Sequence, residues 1–263
     1  MPNMSKRGKI IGREPHNMSK TQVWGVVLAG GKGTRLNCTD RPKVMIEICG
    51  KPIIRYVINA LRGVTEKIII VTGFMGEKIT TAFQNEGVQF VHQAEQLGTA
   101  HALMQAERIL KNKKGIVLIV NGDGPLFTKE VFSPLVKAME SGKYTLVFSS
   151  VVETQHPEYG RIVRNKENKV VDIVEAKDAN VEQRAIKEKN VGVYAVDNSW
   201  LWHALKKIEK SSVSGEYYIT DLVKIALAQK KSVEAIPSPS VQATLGVNTP
   251  EELKQIEQIL CKK

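Results

Sequence analysis

A glycine-rich segment with several nearby cations has the residue types best suited to chemistry in this sequence. Residues 28–36 read LAGGKGTRL, and Lys43 follows Pro42 a few positions later. Glycines let the backbone turn sharply and present N–H groups to an anion, because no side chain obstructs the approach. Lys32, Arg35 and Lys43 add positive charge to the same region. This composition predicts a phosphate-binding loop.

Two common phosphate-binding motifs are excluded by the spacing within this segment. A P-loop requires Ser or Thr directly after its lysine, whereas Gly33 follows Lys32. A dinucleotide-binding motif requires a third glycine where Leu36 stands. If only the glycines are considered, a tight turn with solvated charges is as good an interpretation as a phosphate-binding loop. The pairs Thr34-Arg35 and Pro42-Lys43 favour the phosphate site.

Asp123 is a candidate metal ligand, because it follows the most apolar stretch of the chain, residues 116–120. A carboxylate at such a place is costly unless it is solvated or lies near a cation. Mg²⁺ prefers one or two carboxylates together with phosphate oxygens and water. Asn248 is a second candidate oxygen ligand. The alternatives are a plain Gly-Asp-Gly turn at Asp123 and a simple helix entrance at Asn248.

Other kinds of site have little support in the sequence. The five histidines are scattered, and none lies beside a recognisable nucleophile motif; they are His16, His92, His101, His156 and His203. Cys38, Cys49 and Cys261 are odd in number and lack metal or redox spacing, which suits a reducing cytosol, and we expect Cys38 and Cys49 to be packed or incidental. There is no apolar run of membrane-spanning length and no apolar start. We therefore predict a cytoplasmic protein without a membrane partner.

The net charge of +11 raises nucleic acid as an alternative partner. Residues 1–20 hold five of the basic residues and one acidic residue, and we predict that they form a disordered basic tail. The remaining positive charge is spread along the chain without interleaved aromatic residues. A basic surface also attracts nucleoside triphosphates and sugar phosphates, so we do not expect a nucleic-acid partner.

Alternating strand-like and helix-like segments predict how these residues are positioned. From Val23 onward the pattern is typical of a mostly parallel sheet with helices on its faces. The predicted strands are 23–27, 67–71, 88–91, 116–120, 144–152, 161–163, 170–174 and 191–196, and the predicted helices are 77–85, 99–110, 129–141, 200–210, 217–229 and 250–260. In an open α/β sheet, ligands bind beyond the carboxyl ends of the strands. The loops at 28–36, 93–99 and 122–123 should therefore converge on one crevice.

Nine sequence blocks together resemble the sugar-phosphate nucleotidyltransferases. The blocks are 28–35 with 42–43, 50–52, 93–102, 122–123 with 125–126, 159–164, 173–175 with 177–179, 190–192, 215–221 and 246–250. More narrowly, they are similar to the N-acetylglucosamine-1-phosphate uridyltransferase domain of a bifunctional bacterial enzyme. The first block is typical of the whole superfamily. Residues 93–99 and 215–221 are more specific to this branch.

The resemblance implies a fold and an activity. The expected fold is α/β, with a Rossmann-like, mostly parallel (mixed) sheet and helices on both faces, of the nucleotide-diphospho-sugar transferase type. It would occupy residues 21–263, with a nucleotide-binding lobe at 21–127, a sugar-binding lobe at 128–248 and a C-terminal helix at 249–262. The implied reaction joins UTP and N-acetylglucosamine 1-phosphate in a Mg²⁺-dependent in-line attack, which releases pyrophosphate. The nucleophile is already ionised, so the lack of a catalytic histidine is expected.

The resemblance also implies a role for each matching residue. The implied catalytic residues are Arg35, Lys43 and Asp123, and the implied Mg²⁺ ligands are Asp123 and Asn248. The implied nucleotide-binding residues are Leu28, Ala29, Gly30, Gly31, Lys43, Gln93, Gln96, Gly98 and Thr99. The implied sugar-phosphate-binding residues are Gly160, Glu175, Asn190 and Thr220.

Three residues depart from the family pattern near the expected sugar side: Asn121, Gly124 and Ala176. The alternatives are therefore another sugar 1-phosphate, dTTP in place of UTP, or a catalytically silent sugar-nucleotide-binding protein. The chain ends at Lys263 without the β-helical acetyltransferase region of the bifunctional enzyme. We expect either a free-standing uridyltransferase or a separate acetyltransferase chain, and the oligomeric state stays open.

Overall fold

The computed structural model describes residues 21–262 as a mixed β-sheet with helices on both faces. The strands are β1 (Val23–Ala29), β2 (Glu47–Ile48), β3 (Lys51–Pro52), β4 (Lys67–Thr72), β5 (Gln89–His92), β6 (Ile116–Asn121), β7 (Leu146–Val152), β8 (Arg161–Arg164), β9 (Val170–Val174), β10 (Glu188–Asp197) and β11 (Val233–Pro237). The helices are α1 (Ile53–Arg62), α2 (Gly76–Phe83), α3 (Thr99–Met104), α4 (Glu107–Leu110), α5 (Lys129–Glu140), α6 (Val181–Arg184), α7 (Asn198–Leu205), α8 (Asp221–Ala228) and α9 (Pro250–Leu260).

The strand order is β11-β7-β10-β6-β1-β4-β5. β1 pairs in parallel with β4 and β6, β4 with β5, and β11 with β7. β10 is antiparallel to both β6 and β7, and it also carries the β8–β9 hairpin. The predicted fold class, a mostly parallel but mixed sheet, is confirmed.

The central strands are buried on both faces, which explains why they read as continuous apolar runs. On one face, Val26 and Ile69 belong to the cluster that includes residues of α3, α7 and α8. On the other face, Val27 and Ile70 pack with residues of α1, α2 and α5. The loops that leave the carboxyl ends of β1 and β6 therefore emerge between two helical layers.

Several predicted elements differ from the observed ones. The helix expected at 99–110 is two helices, α3 and α4, because tight turns at Gln105 and Ala106 interrupt it. The helix expected at 217–229 starts only at Asp221. The C-terminal helix is confirmed, with Thr249 as its N-cap. The predicted tail at 1–20 lies outside the described residues, and the division into two lobes stays a prediction.

The expectation of reduced cysteines is wrong for two of the three. Cys49 and Cys261 form a disulfide with a Cα–Cα distance of 5.7 Å, while Cys38 is free. The bond joins the β2–β3 turn to the end of α9. Because disulfides are uncommon in reducing compartments, the cysteines no longer support the cytoplasmic prediction. Within residues 21–262, no helix has the length and apolar character that a membrane crossing requires.

Candidate active site

Two adjoining clefts lie at the carboxyl ends of β1 and β6. The first has a volume of about 420 Å³ and is lined by the residues predicted to bind the nucleotide: Leu28, Ala29, Gly30, Gly31, Lys43, Gln93, Gln96, Gly98 and Thr99. The second has a volume of about 190 Å³ and is lined by Gly160, Glu175 and Asn190, which were predicted to bind the sugar phosphate. Arg35, Asp123 and Asn248 line both clefts. The structure thus brings the predicted residues together, as the convergence of strand ends required.

The glycine-rich loop lies close to neighbouring polypeptide at Gly30. A Cβ atom on Gly30 would lie 2.7 Å from Oε1 of Gln93, and a Cβ on Gly73 would lie 2.6 Å from the carbonyl oxygen of Gly30. Gln93 is itself buried, and its amide nitrogen donates a hydrogen bond of 3.1 Å to the Gly98 carbonyl. A side chain at position 73 would therefore collide with the backbone of Gly30, whereas one at position 30 would displace the buried Gln93 amide.

The two blocks most specific to the uridyltransferase branch bind each other. Gly98 has φ of +107°, and a Cβ there would lie 2.5 Å from the carbonyl oxygen of Tyr217. The backbone N–H of Tyr217 donates to Leu97 O at 2.8 Å, and that of Ala100 donates to Tyr217 O at 3.0 Å. The Thr99 hydroxyl accepts the N–H of Ile219 at 3.0 Å. Residues 217–219 therefore position the end of the loop at 93–99.

The two predicted metal ligands converge on a single cationic group. The ammonium of Lys43 donates hydrogen bonds to Oδ2 of Asp123 and, at 3.1 Å, to Oδ1 of Asn248. Arg35 Nη2 also donates to Asn248 Oδ1, at 3.2 Å. The backbone N–H of Val247 donates to Asp123 O at 2.9 Å, which joins the two distant segments.

The donor set of this centre fits Mg²⁺. Asp123 and Asn248 supply two oxygens that face one position, where the Lys43 ammonium now stands. Among residues 21–262, no group of three or more His, Cys, Asp and Glu side chains could hold a metal ion. Mg²⁺ requires no such group, because it commonly takes its remaining ligands from substrate phosphates and water.

In the second cleft, the predicted sugar-side residues are held by buried hydrogen bonds. The Thr220 hydroxyl lies behind Glu175 and donates to its Oε1 at 2.9 Å. Burial raises the pKa of Glu175 above its ordinary value, and the Thr220 bond opposes this only in part. Asn190 donates from Nδ2 to the Tyr194 hydroxyl at 2.6 Å, and its N–H donates to Gly160 O at 2.9 Å. The cleft therefore offers a costly carboxylate that a polar ligand would stabilise.

Among the lining residues of this cleft to which the sequence assigned no role, Glu158 and Asn121 are notable. Glu158 lines the cleft, and its Oε1 is buried without a hydrogen-bond partner. In the sequence, the sign that Glu158 belongs to the site was its position directly before the Tyr159-Gly160 block. Asn121 lines both clefts, and its amide nitrogen lies against Gly192, which has φ of +80°. Asn121 had been noted only as a departure from the family pattern.

The chain matches known proteins over most of its length. The family model described as nucleotidyl transferase matches residues 24–240. The bifunctional protein GlmU of Bacillus mycoides (strain KBAB4) is 40% identical over 239 residues, which cover 90% of this chain and 51% of that protein. For the bifunctional protein GlmU of Geobacillus sp. (strain WCH70), the identity is 38% over 245 residues, with 91% and 53% covered. This chain thus spans about half the length of these relatives. It is an enzyme of the nucleotidyltransferase type and belongs to the nucleotidyl transferase family.

Proposed function

We propose that this enzyme joins UTP and N-acetylglucosamine 1-phosphate to give UDP-N-acetylglucosamine and pyrophosphate, with Mg²⁺ as its cofactor. The observation that carries the proposal is the pair of adjoining clefts, which meet at Arg35, Asp123 and Asn248. Two clefts with a shared charged centre suit a reaction that brings two phosphorylated substrates together.

The chemistry needs positioning and positive charge more than it needs a base. An ionised phosphate oxygen of the sugar phosphate attacks the α-phosphorus of UTP, and the bond to the pyrophosphate oxygen breaks. Because both substrates are anions, Lys43 and Arg35 would offset their repulsion and stabilise the charge of the transition state. Mg²⁺, held by Asp123 and Asn248, would supply further charge neutralisation at the phosphates when bound.

The lining of the first cleft supports its assignment to the nucleotide. Residues 30–31 line this cleft together with residues of the loop at 93–99, so both segments contribute polar groups to one wall. The resemblance at 93–99 and 215–221 supports uracil over other bases. dTTP remains the competing nucleotide.

The sugar cleft supports a polar ligand with several hydroxyl groups. The Glu175 carboxylate, the Asn190 side chain and the unpartnered Glu158 oxygen all line it. Asn121, which departs from the family pattern, stands at the boundary of both clefts. The second candidate function is therefore transfer to a different sugar 1-phosphate.

We also propose that the enzyme acts in the cytoplasm, which fractionation of the source cells would test.

A matrix of nucleotides and sugar phosphates tests the proposal. Purified protein is incubated with Mg²⁺ and either UTP or dTTP, together with N-acetylglucosamine 1-phosphate or glucose 1-phosphate, and pyrophosphate release is measured. We expect release to be fastest with UTP and N-acetylglucosamine 1-phosphate, and absent without a sugar phosphate. Equal rates with both sugar phosphates would refute the sugar assignment. Full activity of Asp123→Ala would remove Asp123 from the metal site.

A further inference from the structure

A buried chain of charged side chains connects the two walls of the site, and the reaction outlined above does not use it. This polar chain consists of Lys189, Glu153, His156 and Glu252. The first three residues are between 3% and 8% exposed. Buried charged groups are costly unless they are well paired, and they stabilise a fold less than apolar residues of similar size. Their presence beside the clefts therefore calls for an explanation other than stability.

At one end of the polar chain, Glu252 holds the backbone of the candidate metal ligand Asn248. Its Oε2 accepts the N–H of Asn248 at 2.7 Å and the N–H of Thr249 at 2.8 Å. The bond to Thr249, together with the return bond from Glu252 N to the Thr249 hydroxyl, is an ordinary capping box. The bond to Asn248 is additional, because that residue precedes the N-cap. The Glu252 carboxylate thus reaches beyond its helix to the metal-side wall.

At the other end, Lys189 lies on β10 next to Asn190, a predicted sugar-side residue. The Lys189 ammonium lies 2.6 Å from Oε1 of Glu153 and donates to the carbonyl oxygen of His156 at 2.7 Å. Glu153 accepts the backbone N–H of His156 at 3.1 Å, and its Oε2 is 3.1 Å from His156 Nδ1. The segment at 153–156 is therefore fixed to the strand that carries Asn190.

The histidine side chain joins the two ends. Its Nε2 lies 4.0 Å from Oε1 of Glu252, a contact longer than a direct hydrogen bond. The imidazole also stacks on the Tyr159 ring, with centroids 5.1 Å apart and an interplanar angle of 20°. The Tyr159 hydroxyl donates to Thr244 O at 3.2 Å and accepts the N–H of Gly246 at 3.3 Å. One route therefore leads from His156 through Glu252 to the backbone of residues 248–249. A second route leads through Tyr159 to residues 244 and 246.

We propose that Glu252 is a positioning residue, which fixes the main chain of Asn248, and that His156 ties it to the sugar-side wall. This inference rests on the proposed function, since that function assigns Asn248 to the metal. Groups that hold metal ligands in place commonly affect metal affinity or activity about 10- to 100-fold. Satisfied buried polar networks also specify one arrangement of the groups that they connect.

Three variants near the start of α9 test the role of Glu252. Glu252→Ala removes both hydrogen bonds to residues 248 and 249, whereas Glu252→Gln keeps an amide oxygen that can accept them. The matched control is Thr249→Ala, which removes the capping hydroxyl but leaves the bond between Asn248 and Glu252. The readouts are the affinity for UTP with and without Mn²⁺, by calorimetry, and kcat and KM for the sugar phosphate.

We expect Glu252→Ala to weaken Mn²⁺-dependent UTP binding and to lower kcat, each by about ten-fold or more. Its affinity for UTP without a divalent ion should not change, because the loops at 28–31 and 93–99 do not touch Glu252. Glu252→Gln and Thr249→Ala should stay close to the unchanged protein. The inference is wrong if Glu252→Ala binds Mn²⁺ and UTP normally, or if Thr249→Ala loses as much affinity as Glu252→Ala.

A second pair of variants tests the connection through His156. His156→Phe keeps a ring that can stack on Tyr159 but removes both ring nitrogens, and His203→Phe on the exposed side of α7 is the control. We expect His156→Phe to raise the KM for the sugar phosphate and to weaken Mn²⁺-dependent UTP binding. Values equal to those of the control would refute the connection. Thermal melting shows whether each variant is folded. If His156→Phe is not, Tyr159→Phe takes its place with the same expected result, because it keeps the stacked ring but removes the hydroxyl bonds to residues 244 and 246.

Failure of this inference is distinguishable from failure of the proposed function. If the unchanged protein binds UTP with Mn²⁺ but releases no pyrophosphate with N-acetylglucosamine 1-phosphate, the proposed substrate is wrong. The calorimetric comparison of the Glu252 variants still decides the positioning role in that case. If the unchanged protein does release pyrophosphate with N-acetylglucosamine 1-phosphate, but Glu252→Ala binds Mn²⁺ and UTP as the unchanged protein does, the substrate proposal stands. The positioning role of Glu252 is then refuted.

Discussion

Removal of the Lys43 ammonium should have opposite effects on metal binding and on catalysis. In the structure its ammonium bonds to the two oxygens that we assign to Mg²⁺, on Asp123 and Asn248. A cation can reach these oxygens only after Lys43 has moved away. UTP would provide other partners for the ammonium, because its phosphates are anions. Without a nucleotide, Lys43 and a divalent ion should therefore compete.

The size of this competition follows from the exposure of the pair. The side chains of Lys43 and Asp123 are 15% and 22% exposed, so solvent screens the ion pair to a moderate degree. Solvent-exposed pairs contribute up to about 1 kcal/mol, and we take that upper value as the scale for this less exposed pair. That value corresponds to roughly a five-fold change in affinity. Lys43→Met should therefore bind Mn²⁺ about five-fold more tightly than the unchanged protein when no nucleotide is present.

Catalysis should respond in the opposite direction. Removing a group that stabilises charge in the transition state typically lowers kcat by about 10²- to 10³-fold. We expect this loss in Lys43→Met with saturating UTP, Mg²⁺ and sugar phosphate, measured as pyrophosphate release. Mn²⁺ binding without nucleotide is measured by electron paramagnetic resonance of the free ion. The control is Lys67→Met, which removes the same charge from an exposed position at the start of β4, away from the clefts.

One result would refute this reasoning directly. If Lys43→Met binds Mn²⁺ as weakly as Lys67→Met does, the ammonium does not compete with a metal for Asp123 and Asn248. A variant that keeps normal turnover would separately remove Lys43 from the reaction. Only the combination of tighter nucleotide-free metal binding and slower transfer agrees with the observed geometry.

Three further predictions concern the sugar side and the disulfide. Gly192→Ala should raise the KM for the sugar phosphate and lower the free energy of unfolding by about 1–3 kcal/mol. The cause is that the new Cβ would meet the Asn121 amide, at a residue with φ of +80°. Steady-state kinetics measures the first effect and urea unfolding the second. Cys261→Ser should lower the free energy of unfolding in urea by about 2–4 kcal/mol, and thiol titration of the untreated native protein should not detect Cys49. Burial raises the pKa of Glu175, so its contribution to stability is present below its pKa in the unfolded chain and is lost as the pH rises through its folded pKa. Glu175→Gln should therefore raise the melting temperature at about pH 8 and have little effect at about pH 4, below the ordinary pKa of a glutamate, and an equal effect at both would contradict the assigned cause.

The elements around the nucleotide cleft could be predicted because local sequence determines them. β1 and β6 are apolar on both faces, so their positions were visible in the sequence, and each is followed by a glycine-containing turn. The helix at Pro250–Leu260 was equally clear, because its cap and first proline are adjacent residues. Once the sheet is mostly parallel, the strand ends must lie along one edge. The convergence of the loops after β1 and β6 follows from that geometry.

Other features depend on contacts between distant parts of the chain. Cys49 and Cys261 are 212 positions apart, and their spacing carried no sign of a bond. His156 could be recognised as part of a network only after Glu252 had been brought beside it. The helix predicted to begin at residue 217 failed for a similar reason, because the backbone of Tyr217 pairs with residues 97 and 100 instead of starting a helix.

The candidate metal site depends on how firmly α9 is docked. Asp123 is supplied by the end of β6, but Asn248 stands just before α9, and the bond from Val247 N to Asp123 O holds the two segments together. Val247 and Ile256 are fully buried in a small apolar cluster with Ile48, which lies next to the disulfide-bonded Cys49. Apolar packing, the disulfide and the Glu252 bonds therefore all act on the same helix. Since a metal bound by both Asp123 and Asn248 would favour the docked state, metal affinity and the docking of α9 must be thermodynamically linked.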